Sequence, residues 1–176
     1  ACFGTAVWAL MAGVCGRDAP VAMIFGNVRT LVWMILLYDM SEGVRSHSVG
    51  GLRLVFGAVA LVVGLNLILS ILGLAVTLRP AEFDQMLDAS RLLRITMSAG
   101  ALVLVHNIYG QAAPESRLRI RGPMLGLTLM FGYDLNLATV AYLDSSGAAD
   151  LFRLRGLFLA LTAPFFTSTG GAKDSL

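Results

Sequence analysis

Charged side chains are scarce in this 176-residue chain, in which lysine, arginine, aspartate and glutamate together account for 14% of the residues. Hydrophobic residues account for 57%, and the mean hydropathy is +0.77. A water-soluble fold of this length would have to expose much of that apolar surface. Lipid tails can cover it instead, because they are as apolar as leucine. The sequence therefore predicts a membrane protein whose main partner is the lipid bilayer.

The sequence also lacks the signatures of catalysis and metal binding. It contains no GxxxxGK(S/T) phosphate loop, no HExxH motif and no GxSxG motif. Cys2 and Cys15 would lie roughly 20 Å apart along a helix, so they cannot pair and offer no metal site. The 13 basic residues are scattered between apolar runs, which argues against a nucleic-acid partner. We expect no catalytic residue, metal or cofactor within this chain.

The apolar residues fall into runs that could cross a bilayer, which takes about 20 residues of helix. Backbone groups in lipid must bond internally, so short polar connections between such runs predict antiparallel helices rather than strands. The expected fold is all-α, a polytopic transmembrane helix bundle that forms a single domain over residues 1–176. Its six spans are predicted at 1–15, 21–38, 54–78, 92–109, 123–143 and 154–172.

The connections between spans contain most of the charges and prolines. Arg79 and Pro80 end the third span, and 81–90 is predicted to be a loop or a short surface helix. The stretch 110–122 is predicted to be a loop, and Pro123 suits the start of the fifth helix. The three arginines of that loop favour a cytoplasmic position for it. The first run is apolar from its first residue and lacks a basic leader, so we expect a chain truncated at the N-terminus. We also expect truncation at the C-terminus.

Small residues in two spans predict close helix contacts. Gly57, Ala60 and Gly64 share one face of the third span, and Gly122 and Gly126 form a GxxxG pattern in the fifth. Such residues let helix backbones approach each other in lipid.

Two charged residues lie near the middle of predicted spans. Arg29 is in the second span and Asp134 in the fifth, and an unpaired charge at that depth costs at least about 2.5 kcal/mol. These spans run in opposite directions, so the two side chains can reach similar depth and form an ion pair. Further polar residues could surround the pair, namely Asn27, Asn66, Tyr133 and Asn136. The cluster is either a signal-sensing or proton-coupled site, or a structural pair that fixes helix register.

The second half of the chain carries a recognisable order of short motifs. They are His106-Asn107-Ile108-Tyr109, Pro114-Glu115-Ser116-Arg117, Leu125-Gly126-Leu127, Phe131-Gly132-Tyr133-Asp134-Leu135 and Leu154-Arg155-Gly156, followed by Pro164. In order and spacing they resemble the membrane region of PrsK-type sensor histidine kinases. These kinases are associated with exosortase and PEP-CTERM systems in exopolysaccharide-producing Gram-negative bacteria. The matching motif residues are Asn107, Tyr109, Pro114, Glu115, Arg117, Arg155 and Gly156.

The resemblance implies a multi-pass sensory region in the bacterial inner membrane, whose later helices lead to a kinase module outside this chain. That module would bind ATP and Mg²⁺, form a homodimer and transfer phosphate to a response regulator. Neither His106 nor His47 lies within a kinase motif, so neither is expected to be the phosphorylated residue.

Two other interpretations stay open. A small transporter or channel could use Arg29 and Asp134 as a site near the bilayer midplane, and it would be expected to show an internal repeat, of which the sequence gives no clear sign. A membrane-embedded peptidase would need a nucleophile beside a base, and neither Cys2 nor Cys15 has an evident partner.

Overall fold

A computed structural model describes residues 2–16, 19–44, 50–76, 79–144, 147–162 and 164–167. Within these ranges the regular structure is entirely α-helical, which confirms the predicted all-α helix bundle. The helices are α1 (Cys2–Cys15), α2 (Pro20–Val44), α3 (Gly50–Ala75), α4 (Pro80–Gln111), α5 (Pro114–Leu143), α6 (Gly147–Thr162) and α7 (Pro164–Thr167). Some of the sequence predictions fall outside the described residues: the start of the first span at Ala1, the end of the third at Leu78, the end of the sixth at 168–172, and His47.

Four of these helices, α2, α3, α4 and α5, are long and apolar enough to cross a membrane. The chain is therefore a membrane protein. Helix α1 has 14 residues and α6 has 16, both fewer than the roughly 20 that a full crossing needs. Over the described residues, the six predicted spans thus correspond to four helices of spanning length and three shorter ones, α1 in the first span and α6 with α7 in the sixth.

Helix α4 is longer than the sequence predicted, because it begins at Pro80 and continues without interruption to Gln111. The separate loop or surface helix expected at 81–90 is wrong. Pro80 occupies the first turn, where its missing N–H is not needed. The backbone N–H of Arg79 donates to the Glu82 carboxylate at 3.1 Å, and the Arg79 side chain pairs with the same carboxylate. These contacts fix the start of the helix before the apolar residues begin.

The predicted loop 110–122 is also wrong, because α5 begins at Pro114 and contains Pro123 inside it. Only Ala112 and Ala113 separate α4 from α5. Arg117 folds back across this corner, where its Nε donates to the Ala112 carbonyl at 2.9 Å and its Nη2 to the Gly110 carbonyl at 2.6 Å. The arginine thus satisfies carbonyl groups at the end of α4 that have no partner within that helix. This corner holds the motif residues Asn107, Tyr109, Pro114, Glu115 and Arg117.

The helices pack mainly on their neighbours in the chain: α2 on α1 and α3, α4 on α3 and α5, and α5 on α6 and α7, with an additional contact between α2 and α4. The largest core cluster includes Trp33, Leu37, Val63, Leu104 and Phe131. On the outside of α3, several large apolar side chains stay exposed, as expected for a surface in lipid: Leu54, Leu61, Leu65, Ile68 and Leu72.

The glycines that allow close packing are mostly not the predicted ones. A Cβ atom added to Gly100 of α4 would lie 2.5 Å from Val59 of α3, and one on Gly126 would lie 2.9 Å from Phe166 of α7. A Cβ on Gly57 would meet no atom within 4 Å, and the same holds for Gly64. The predicted small face of α3 therefore lies on the surface of this chain rather than against another of its described helices.

Candidate functional site

The carboxylate of Asp134 on α5 binds two arginines from different helices. Its Oδ2 lies 2.5 Å from Nη2 of Arg29 on α2, and its Oδ1 pairs with Nη2 of Arg155 on α6. The side chains are 11%, 4% and 3% exposed for Asp134, Arg29 and Arg155. The structure thus brings the two predicted residues together and adds Arg155. We call Arg29, Asp134 and Arg155 the charged triad.

The depth of the triad follows from helix geometry. Arg29 is the tenth residue of α2, and Asp134 is the tenth from the end of α5. At 1.5 Å per residue, each lies roughly 14 Å from the end of its helix. Arg155 is the ninth residue of α6, which starts on the side where α5 ends. Three helices therefore deliver their charges to one level inside the bundle.

Trp8 of α1 lies against both arginines of the triad. The guanidinium carbon of Arg155 is 4.1 Å from the centroid of the Trp8 ring, and that of Arg29 is 4.9 Å from it. At these distances the negative face of an aromatic ring attracts a cation. Phe152 of α6 packs edge-on against the same indole at 5.9 Å, and Gly26 of α2 leaves room for it. Helix α1 is thereby joined to the charged triad.

Several donor atoms of the triad have no hydrogen-bond partner among the described residues. They are Nε and Nη1 of Arg29 and the same two atoms of Arg155, all shielded from solvent. A buried donor without a partner costs about 1–3 kcal/mol, and more when it is charged. Two arginines and one aspartate also leave the triad with a net positive charge. The triad therefore favours an additional acceptor, and a negatively charged one most of all.

A second polar group, the amide network, consists of Asn27, Asn66, Ser70 and Ser90. Nδ2 of Asn66 donates to Oδ1 of Asn27 at 2.9 Å, and Nδ2 of Asn27 donates to Oγ of Ser70 at 3.2 Å. The hydroxyl of Ser90 donates to Oδ1 of Asn66 at 2.8 Å. All four residues are buried. The network thus connects α2, α3 and α4 through neutral hydrogen bonds.

We expect Asn66→Ala to lower the free energy of unfolding by about 1–2 kcal/mol, because it removes the centre of the amide network. Hydrogen bonds between membrane helices typically contribute about 0.6 kcal/mol each and up to about 1.7. Thermal unfolding of the purified chain in detergent, followed by tryptophan fluorescence, measures the change. Asn136→Ala is the matched control, since Asn136 is an exposed asparagine of α5. Equal melting temperatures for the two variants would contradict a stabilising network.

The charged triad and part of the amide network line one cavity of about 50 Å³. A single water requires about 10–15 Å³ of such a volume, so the cavity has room for a few waters or one small ligand. Arg91 and Arg94 of α4 also line it. Arg91 pairs at 2.8 Å with Asp88, whose side chain is 58% exposed. Apolar side chains complete the wall, among them Met97, Leu137 and Phe152.

Two of the predicted cluster residues take no part in the ion pairs of the triad. The Tyr133 hydroxyl donates to the Leu151 carbonyl at 2.5 Å, and its ring stacks on Phe158 at 4.5 Å, so Tyr133 joins α5 to α6 beside the triad. Asn136 is exposed and takes no part in the cluster. It follows Asp134 by two residues, which turns its side chain about 200° around the helix axis.

Arg155 was not predicted as a cluster member, although it belongs to the motif that suggested the family resemblance. Its neighbour Gly156 is exposed, with no atom within 4 Å of an added Cβ. The other motif residues lie at the corner between α4 and α5. Twenty residues of α5 separate Pro114 from Asp134, which is about 30 Å of helix. The motif residues thus mark two distant places, the corner and the charged triad.

The candidate histidine and cysteine residues show no catalytic arrangement in the described part of the chain. His106 is exposed on α4, and Cys15 is free and exposed. The side chain of Cys2 is outside the described residues. Among the residues that are described, no three His, Cys, Asp or Glu side chains converge on a possible metal site.

Comparison of the chain with protein-family models, with curated proteins and with solved structures finds no match. The resemblance to PrsK-type kinases therefore remains a prediction from the motifs.

Proposed function

We propose that this chain is the membrane-embedded sensory region of a two-component sensor histidine kinase in the bacterial inner membrane. The kinase module, with its ATP and Mg²⁺, lies outside this chain, forms a homodimer and passes phosphate to a response regulator. The observation that carries the proposal is the double ion pair of Asp134, which ties α6 to α2. The resemblance of the motifs to PrsK-type kinases supports it independently.

A sensory region needs a contact whose change moves one helix relative to the others. Helix α6 packs on α5 and α7, whereas α2 packs on α1, α3 and α4. The triad connects these two groups of helices through side chains that span the interior between them. A stimulus that weakened either ion pair would change how α6 is held against the bundle. In this proposal, the change in how α6 is held is what the kinase module detects.

The energetics of a buried ion pair fit this role. Desolvation of the charges offsets most of their attraction, so an intact pair adds little net stability, whereas a pair that loses one partner is strongly destabilised. A ligand needs only a few kcal/mol of preference for one arrangement to shift the balance between two states. The triad combines this sensitivity with contacts to α1, α2, α5 and α6.

The experiment uses the complete reading frame that encodes this chain, purified in lipid nanodiscs and incubated with labelled ATP and Mg²⁺. We expect autophosphorylation, and we expect Arg155→Gln to change its rate severalfold by releasing α6 from Asp134. Arg153→Gln is the matched control, because Arg153 lies two residues away on α6 with its side chain 82% exposed. Its rate should equal that of the unmodified protein.

Two results would contradict the proposal. One is the absence of a kinase module from this reading frame and from its neighbours. The other is an equal rate of autophosphorylation in the Arg155→Gln and Arg153→Gln variants.

A transporter or channel is the second candidate, and the arginine-lined cavity favours it. A polar cavity at membrane depth is a common substrate site in transporters. Such sites are usually formed where spanning helices are broken, whereas α2, α3, α4 and α5 are continuous over the residues described. Uptake of labelled solute into liposomes containing the chain alone would favour this candidate over the sensory one.

A further inference from the structure

We propose that the cavity beside the charged triad binds a small monovalent carboxylate, the size of formate or acetate, through Arg29 and Arg155. The inference deepens the proposed function, because the bound anion would be the stimulus. Only this role as stimulus rests on the proposed function. The binding site itself follows from charge, from hydrogen-bonding capacity and from size.

Charge is the first argument. Four arginines line the cavity, namely Arg29, Arg91, Arg94 and Arg155, against the single carboxylate of Asp134. Even when Arg94 and Arg91, which pairs with Asp88 outside the wall, are left out of the count, Arg29 and Arg155 exceed Asp134 by one positive charge. In surroundings of low dielectric constant, this excess attracts an anion more strongly than it would in water. One negative charge is favoured over two, because the cost of removing an ion from water rises steeply with its charge.

Hydrogen bonding is the second argument. Nε and Nη1 of both Arg29 and Arg155 are buried without a partner in the described part of the chain, and both residues line the cavity. Planar guanidinium groups match carboxylate oxygens in shape and form charge-assisted hydrogen bonds with them. The Asp134 carboxylate already binds Nη2 of each arginine. A second carboxylate would use the remaining donors without displacing Asp134.

Size and polarity are the third argument. The 50 Å³ cavity has room for a few water-sized groups, which suits formate or acetate better than a sugar acid or a lipid headgroup. Its wall is polar at Asn66 and Ser98 and apolar at Met97 and Leu137. Such a mixed wall suits a short carboxylate with a hydrogen atom or a methyl group at its other end.

The test is saturation-transfer NMR on the methyl signal of acetate, with the full chain in detergent and potassium gluconate keeping the ionic strength constant. Gluconate carries the same carboxylate on a much larger, hydroxylated chain. We expect a saturable acetate signal that formate displaces and gluconate does not. We also expect acetate to raise the melting temperature, since a ligand that binds only the folded state stabilises it.

Variants locate the site. Arg155→Gln should weaken acetate binding about tenfold or more, because a hydrogen bond to a charged group contributes roughly 1.5–3 kcal/mol and 1.4 kcal/mol is a factor of ten. Arg153→Gln should bind acetate like the unmodified chain, since its side chain is exposed on the same helix. If Arg155→Gln fails to fold, the selectivity of the unmodified chain for acetate over gluconate still tests the proposed site.

The inference is overturned if acetate gives no saturable signal, if gluconate displaces it as well as formate does, or if a folded Arg155→Gln binds like Arg153→Gln. Its failure is distinguishable from that of the proposed function. If acetate binds but does not affect autophosphorylation, the binding site is confirmed and its role in sensing is contradicted. If Arg155→Gln changes autophosphorylation but the chain binds no acetate, the proposed function stands and the binding site is contradicted.

Discussion

Asp134→Asn is expected to lower the free energy of unfolding by about 3–5 kcal/mol, the usual cost of removing one partner of a buried ion pair. Asparagine keeps the shape of aspartate but loses its charge, so Arg29 and Arg155 would lie buried without a counter-ion. The two side chains are 4% and 3% exposed and have little access to water. Their mutual repulsion, which Asp134 now offsets, would add to the loss.

Thermal unfolding in nanodiscs, followed by tryptophan fluorescence, measures this effect, because Trp8 contacts both arginines. Asp150→Asn is the matched control. Asp150 faces Arg153 at 3.7 Å with both side chains more than 80% exposed, and exposed pairs contribute little. If the two variants unfolded at the same temperature, the triad would have no stabilising role.

The triad also changes what a charge exchange can achieve. If Arg29 and Asp134 formed an isolated pair, Arg29→Asp combined with Asp134→Arg would restore the attraction. In this structure the new arginine at 134 would lie against Arg155, so the double variant should stay unstable. Recovery of the original melting temperature would show that Arg155 does not share the carboxylate.

Gly100→Leu is expected to destabilise the bundle by about 2–3 kcal/mol, because α3 packs directly against α4 at this residue. A Cβ atom alone would lie 2.5 Å from Cγ2 of Val59, and a leucine would add three more carbons. Valine is branched at Cβ and cannot easily rotate away. Overpacking of this kind costs about 1–3 kcal/mol, and helix α3 would have to shift to relieve it.

Gly57→Leu is the matched control on the lipid-facing side of α3, where an added Cβ meets no atom within 4 Å. Unfolding in detergent should show a loss for Gly100→Leu and little change for Gly57→Leu. Combining Gly100→Leu with Val59→Ala should recover part of the loss, since it removes the colliding methyl groups. Equal stability of the Gly100→Leu and Gly57→Leu variants would contradict the close contact between α3 and α4 at Gly100.

The bundle and the first ion pair could be predicted from sequence because each depends on one strong physical term. Apolar runs of about 20 residues have few stable alternatives to a membrane helix. Arg29 and Asp134 stood out because charges at membrane depth are costly. Arg155 was missed for a related reason. The predicted sixth span began at 154, so Arg155 seemed to lie at the edge of the membrane, whereas α6 begins two turns earlier at Gly147.

The helix contacts and the ends of α4 and α5 could not be predicted from the sequence, because they depend on tertiary structure. Spacing alone could not show that Gly100, rather than Gly57, faces another helix. Pro123 was assigned to a helix start because proline usually breaks a helix, yet α5 had already begun at Pro114, where Arg117 holds the corner with α4. Prolines are tolerated inside membrane helices when other groups satisfy the freed carbonyls.

The length of α4 has a mechanical consequence. Its 32 residues measure about 48 Å, while the hydrocarbon layer is only about 30 Å thick. An upright α4 therefore projects from the bilayer by several turns. Asp84 is exposed near the start of α4, and Ser90 and Arg91 follow at the cavity wall without a break in the helix. A displacement of a projecting end would thus be transmitted along the rigid helix to Arg91 and Arg94 at the cavity wall.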